Sequence, residues 1–400
     1  MRGLRKRGRV LIPGPLVLVA VSAAGATVGM ASSLLIAFVA GPTGRGQVAV
    51  TLQLSYLLAP VMALGLDAYL LRGRAPEGVH LRRLILIPVL LGWLLAGLLS
   101  AIVLLVAPGE SLAFFVVLAA PVGIVVASLA VIRAASVGAR NLSVFVVWST
   151  TIYGIWVLIF VVLWRLGIDD SRSWAAAYAV PSLLLTGWGL SILRIRSVPV
   201  RPILSKSIAL MPRNVALIIV LRGERLLLPF MSGPAALGFY VVAATALEIA
   251  TWLARAHADW IVARLREESE TSPHVMSVIL RAWWVPVAVL CASGLTVGLV
   301  IPVLGPEFSP SKILVLPLAL ATCVLAGTQY LQAALLAGDR PGTSSKAMTL
   351  AMAVSFVVYP VAITVAGAEG AAWGSLVVYS VALISSAIFL RRGISEKGRS

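Results

Sequence analysis

The sequence predicts an all-α fold: a polytopic integral membrane protein of twelve transmembrane helices, in two six-helix lobes with both termini cytoplasmic. Three observations predict it. Hydrophobic residues fill 60% of the 400 positions and charged residues 12%, about half the charge of a soluble domain, and the mean hydropathy is +1.01. Apolar stretches long enough to span a bilayer recur along the whole chain, separated by short polar turns. Basic residues gather on alternate turns, 23 on one side against 4 on the other, which places the basic side inside.

In order, spans are expected at 13–39, 47–71, 84–106, 112–132, 144–164, 174–193, 208–230, 237–262, 275–303, 312–336, 347–367 and 371–390. The basic start MRGLRKRGR has the outline of a signal peptide. The apolar run from Val10 to Ala40 nevertheless far exceeds a signal core of about 7–15 residues, so it reads as the first span. The outer basic residues are Arg45, Arg165, Arg172 and Lys312, with Arg45 in a first outer loop at 41–46.

Several function classes drop out. The net charge of +17 reads as membrane orientation rather than nucleic-acid binding. The longest loop, 194–207, is too short for a folded domain, and no G-x-x-x-x-G-K-[ST] phosphate loop is present, so an ATPase is not indicated. His80, His257 and His274 lack metal-ligand spacing, and His257 reads as a hydrogen-bonded neighbour. Cys291 and Cys323 fall inside spans and read as core packing. No cofactor or metal is expected. An enzyme of polysaccharide assembly would need a general base or metal carboxylates on a sizeable outer loop. The outer pair Asp169 and Asp170 sits on a loop of about ten residues.

An internal repeat underlies the two lobes, 1–200 and 201–400. At an offset of 192, Gly41-Pro42 meets Gly233-Pro234, Gly46 meets Gly238, and Asp67 meets Asp259. At 200, Gly138-Ala139-Arg140 meets Gly338-Asp339-Arg340. Six spans per half give the copies the same orientation, related by an axis along the membrane normal. The cavity then lies between spans 1, 2, 7 and 8.

The stretch from Ile208 to Trp260 carries the charges that need explaining. Between Ile208 and Phe230, 12 strongly apolar residues stand against Arg213, Arg222, Glu224 and Arg225. The apolar residues return about 4–7 kcal/mol on insertion, while four deep charges cost about 10. The span must therefore line a polar cavity. Arg222 and Arg225 are three apart and share a face; Glu248, Trp252, Arg255 and Asp259 form one stripe on span 8. Asp67, Gln53 and Tyr56 on span 2, and Gln329 on span 10, are added to the lining. Two readings stay open. In one, unpaired arginines (Arg222, Arg225, Arg255) bind an anionic headgroup beside Gln53, Tyr56 and Gln329, and Glu224, Glu248, Asp67 or Asp259 couples to an ion. In the other, the charges pair with one another and fix helix packing, Arg255 with Asp259 for instance. Arg213 and Arg281, near the inner boundary, read as snorkelling.

Arg222-Gly223-Glu224 ending span 7, then GPAALGFY (233–240) opening span 8, resembles the polysaccharide flippases (Wzx-like) of the multidrug/oligosaccharidyl-lipid/polysaccharide exporter superfamily. GPTGRGQ (41–47), LGPEFSPS (304–311), AGDRPG (337–342) and GAEGAAWGS (367–375) resemble it at the matching places. The family commonly has Asp where this chain has Glu224. The resemblance implies a MATE-like fold and movement of a polyprenyl-pyrophosphate-linked oligosaccharide across the cytoplasmic membrane by alternating access. Its implied partners are that lipid, the surrounding membrane lipids, a coupling proton or sodium ion, and the enzymes of polysaccharide assembly. The competing readings are a multidrug or cation exporter of the same superfamily, a membrane enzyme of polysaccharide assembly, and a scaffold.

Overall fold

The computed structural model describes residues 14–71, 81–106, 112–139, 141–191, 201–265, 283–337 and 341–397, and the described residues are helical throughout, without strands. Eight stretches are long and apolar enough to cross a membrane. Two of these are helix pairs. Gly14–Ala63 breaks at Gly41 (φ 66°) into α1 (14–40) and α2 (42–63), and Pro341–Lys397 breaks at Ala366 and Gly367 into α11 (341–365) and α12 (368–397). Between them run α3 (Leu81–Val106), α4 (Ala113–Gly138) and α5 (Ser143–Arg165), then α8 (Pro234–Leu265), α9 (Val285–Leu304) and α10 (Ser311–Ala337). Two more complete the twelve. The sixth, α6, is broken at Val180 before Pro181 into Ser171–Ala179 and Pro181–Leu190, because proline cannot donate to the preceding turn. The seventh, α7 (Met211–Met231), carries the four charges already singled out. The chain is a multi-pass, all-helical membrane protein of twelve spans in two lobes.

Most spans sit within a few residues of expectation. The first turn does not. The sequence places 41–46 in a loop with Arg45, but the helix restarts at once after Gly41, and Pro42 stands in its first turn, where a missing N–H costs nothing. The same happens at Gly233 (φ 85°) before Pro234. Positive φ recurs at Gly167 and Gly367, 200 residues apart. With Gly305 (φ 108°), these turns all lie at one end of the alternating bundle, here called the glycine end.

The apolar core divides unevenly. One buried cluster runs through the C-terminal half and takes in the glycine-end portions of the N-terminal half: Ile36 and Ala37 of α1, Val48 to Val50 of α2, Phe115 of α4, Phe160 of α5 and Trp174 of α6. A second cluster holds the other end of the N-terminal half, from Leu18 through Met62, Val131 and Ile152, with Ile203 and Leu210 of the connection to α7. The halves thus share a core at the glycine end and have separate cores towards the other. At that other end the chain turns at Leu64 and Gly65 into a short helix, Leu66–Leu71. Gly65 (φ 71°) lies against the backbone of Ser207 and Met211, and a side chain there would strike it. Cys291 is exposed on α9 rather than packed in the core, and Cys323 is half-buried.

Candidate functional site between the lobes

Tertiary contacts hold α7 in a fixed rotation. The Tyr359 hydroxyl donates to the Val220 carbonyl at 2.7 Å and that of Tyr379 to the Leu221 carbonyl at 3.1 Å, from α11 and α12. Gly223 leaves room for the Tyr359 ring, which a Cβ would meet at 3.0 Å. With that face bound, Arg222 and Arg225 turn towards α8, and Arg222 also reaches α2 of the other lobe.

Both arginines converge on Glu248 of α8. Arg222 Nη1 lies 2.7 Å from Glu248 Oε1, and Arg225 Nη1 binds the same oxygen. Arg222 also donates to Gln53 Oε1 of α2 at 3.4 Å, and its guanidinium stacks 4.7 Å from the Tyr56 ring centroid. Arg225 Nε is 3.3 Å from Glu224 Oε1, which accepts from the Tyr240 hydroxyl at 3.2 Å. The side chain of Glu224 is fully buried, that of Glu248 25% exposed and that of Arg222 13%. Glu248 and Arg222 are therefore the accessible members.

The structure thus brings together Arg222, Arg225, Glu224, Glu248, Gln53 and Tyr56. It corrects the expectation of unpaired arginines, because Glu248 projects from the facing turn of α8 into both guanidinium groups. Asp67 lies apart, near the start of α7, accepting from Asn214 Nδ2 at 2.7 Å. Arg255 is exposed further along α8, and half-buried Gln329 leaves its Oε1 without a hydrogen bond. The side chain of Asp259, and Arg281 as a whole, lie outside the described residues. Arg213 does not snorkel. It is buried, donating to Ser344 at 2.6 Å and to Asn214 at 3.0 Å. His257 Nδ1 meets the Tyr330 hydroxyl at 2.6 Å, the neighbour role expected of it.

Sequence reasoning missed Arg45. It is 3% exposed on α2, with Nε and Nη2 donating to Ser33 Oγ of α1 at 3.1 and 2.8 Å and Nη1 without a partner. Ser33 in turn meets Thr245 of α8 at 3.1 Å, across the lobes. Arg45 lies within electrostatic reach of Glu248, Arg225 and Tyr56. Pro42, read as the first residue of a helix by analogy with Pro234, was the signal that could have placed it.

No family model matches the chain, and no curated protein sequence does. Solved structures do. A MATE transporter in complex with MaL6 is 12% identical, with 97% of each chain covered and a TM-score of 0.69. An outward-facing multidrug resistance MATE transporter of the MOP superfamily is 13% identical over 97% of this chain and 96% of its own, at 0.67. A MOP superfamily transporter from Pyrococcus furiosus, described by the reverse polarity of its binding pocket, is 11% identical over 96% and 95%, at 0.65. The chain has the fold of the MATE transporters.

Proposed function

We propose that this protein is a secondary transporter that moves an amphiphile with an anionic, phosphate-bearing headgroup, a lipid-linked oligosaccharide, by alternating access of lobes 1–200 and 201–400. The observation that carries the reading is the pairing at the centre: two guanidinium groups share one partly exposed carboxylate. Each keeps donors that a phosphate oxygen can take, and a pyrophosphate offers the planar fork two acceptors at once. Glu248 then holds the empty site together and gives way to the cargo. The reversed pocket polarity reported for the Pyrococcus furiosus protein supports a fold that accommodates different charge in its pocket. A cation exporter would favour acidic groups, whereas here the accessible pair is an arginine and the carboxylate that neutralises it.

Glu224, Asp67 and Asp259 are the remaining candidates for ion coupling, with Glu224 sealed behind Arg225 and Tyr240. The cytoplasmic membrane is the proposed location, with polysaccharide assembly enzymes as suppliers and consumers of the lipid. Reconstitution in liposomes tests the cargo: a short-chain polyprenyl-pyrophosphate oligosaccharide should reach the opposite leaflet faster than in protein-free vesicles. Uptake of organic cations with no movement of the lipid-linked sugar would refute the reading.

A further inference from the structure

Arg45 needs an explanation that packing does not supply. At the repeat offset of 192 its counterpart is Leu237, fully buried in the other lobe. The same place in the fold is thus satisfied by an apolar side chain. Taking a guanidinium out of water is costly unless it is paired. Arg45 has a serine hydroxyl for two of its nitrogens, and no carboxylate within ion-pair distance among the described residues. Around it the charges do not cancel: Arg45, Arg222 and Arg225 stand against Glu224 and Glu248, and both carboxylates are already bound to Arg222 or Arg225.

We propose that Arg45 is a second station for a phosphate-class anion, covered while the lobes are joined at the glycine end and uncovered when they part there. The deduction rests on the anionic-cargo reading above. Arg222 and Glu248 are reachable in the present arrangement; Arg45 is not, because Ser33 of its own lobe is tied to Thr245 of the other. Parting the lobes at that end breaks the Ser33–Thr245 bond and opens Nη1 of Arg45 to the cavity. An anion released by Arg222 and Arg225 then meets the uncompensated positive charge on the far side. The station favours the opened arrangement by as much as it binds the anion better there.

The test uses the full chain, with Cys291 and Cys323 replaced by serine, in lipid nanodiscs with spin labels at cysteines replacing Asp169 and Glu369, one beside a glycine-end turn of each lobe. Farnesyl pyrophosphate is the lipid probe, inorganic pyrophosphate the free anion, and farnesol the uncharged control. Farnesyl pyrophosphate should lengthen the distance in the parent, farnesol should not, and Arg45→Gln should abolish the response. Arg45→Lys, which keeps charge without the fork, should give an intermediate shift. A response to inorganic pyrophosphate as well assigns the station to the anion alone; a response only to farnesyl pyrophosphate assigns it to the lipid headgroup. Arg45→Gln should melt no lower than the parent without ligand, whereas a purely structural Arg45 would lower melting and leave the distance response intact. Parent-like lengthening in Arg45→Gln overturns this inference and leaves the cargo reading standing. Absence of farnesyl pyrophosphate binding by the parent overturns both.

Discussion

Gly46 and Gly238 face each other across the lobe interface, each lying against the carbonyl of the proline that opens the other's helix: Gly46 on Pro234, Gly238 on Pro42. The contact is reciprocal and its members are 192 residues apart, so the two lobes meet here through equivalent surfaces. A Cβ at either glycine would strike backbone that has no flexible end to move away. Gly46→Ala and Gly238→Ala should each destabilise the joined arrangement by about 1–3 kcal/mol, the usual cost of overpacking. Interlobe distances at the glycine end should lengthen comparably in both. A variant that leaves the distance distribution unchanged would remove the contact from the lobe interface.

Glu248 is the common partner of Arg222 and Arg225, so its loss leaves two guanidinium groups facing each other. Removing one member of a fully buried pair costs about 3–5 kcal/mol. With Glu248 a quarter exposed, Glu248→Gln should cost about 1–3 kcal/mol, read as a lower melting temperature in detergent. Combining it with Arg222→Ala should cost less than the sum, since the second change removes one of the stranded charges. Strict additivity would argue against the shared bond.

At the opposite end the lobes are tied by Asp67 and Asn214; Asn214 accepts in turn from Arg213, which also donates to Ser344. Asp67→Ala and Asn214→Ala should each cost about 1.5–3 kcal/mol, the range for a hydrogen bond to a charged group. The double variant should cost less than the sum of the two single ones. Independent effects would show that the two residues do not act as a pair.

Orientation follows from the loops. An outside-active alkaline phosphatase fused after Gly109, Asp169 or Pro306 should be active, and after Arg82, Arg140 or Arg340 inactive. Activity at Arg140 or Arg340 would overturn the placement of the glycine end outside.

Much of the span layout was legible in the sequence because membrane helices follow a local rule, apolar length setting where the spans fall. The shared face of Arg222 and Arg225 followed from helical spacing alone. What did not follow was pairing between elements. Nothing local says that Glu248 reaches both arginines, that Arg213 finds Ser344 rather than the membrane surface, or that Arg45 is buried. That last residue was misplaced because Gly41 to Gly46 looks like a flexible turn, while only Gly41 adopts a non-helical conformation. Arg255 was grouped with Glu248 by its stripe, yet it lies further along α8 and is exposed.

If the arginines between the lobes carry an anionic headgroup, initial transport rates in liposomes depend on them. Parent, Arg222→Lys, Arg222→Ala and Arg225→Ala would be compared at equal membrane levels with the short-chain polyprenyl-pyrophosphate oligosaccharide. Losing a charge-assisted contact of about 1.5–3 kcal/mol corresponds to about a 10- to 150-fold change. Losses of that order are expected for the alanine variants and an intermediate loss for Arg222→Lys. Parent-like rates in Arg222→Ala and Arg225→Ala would contradict it.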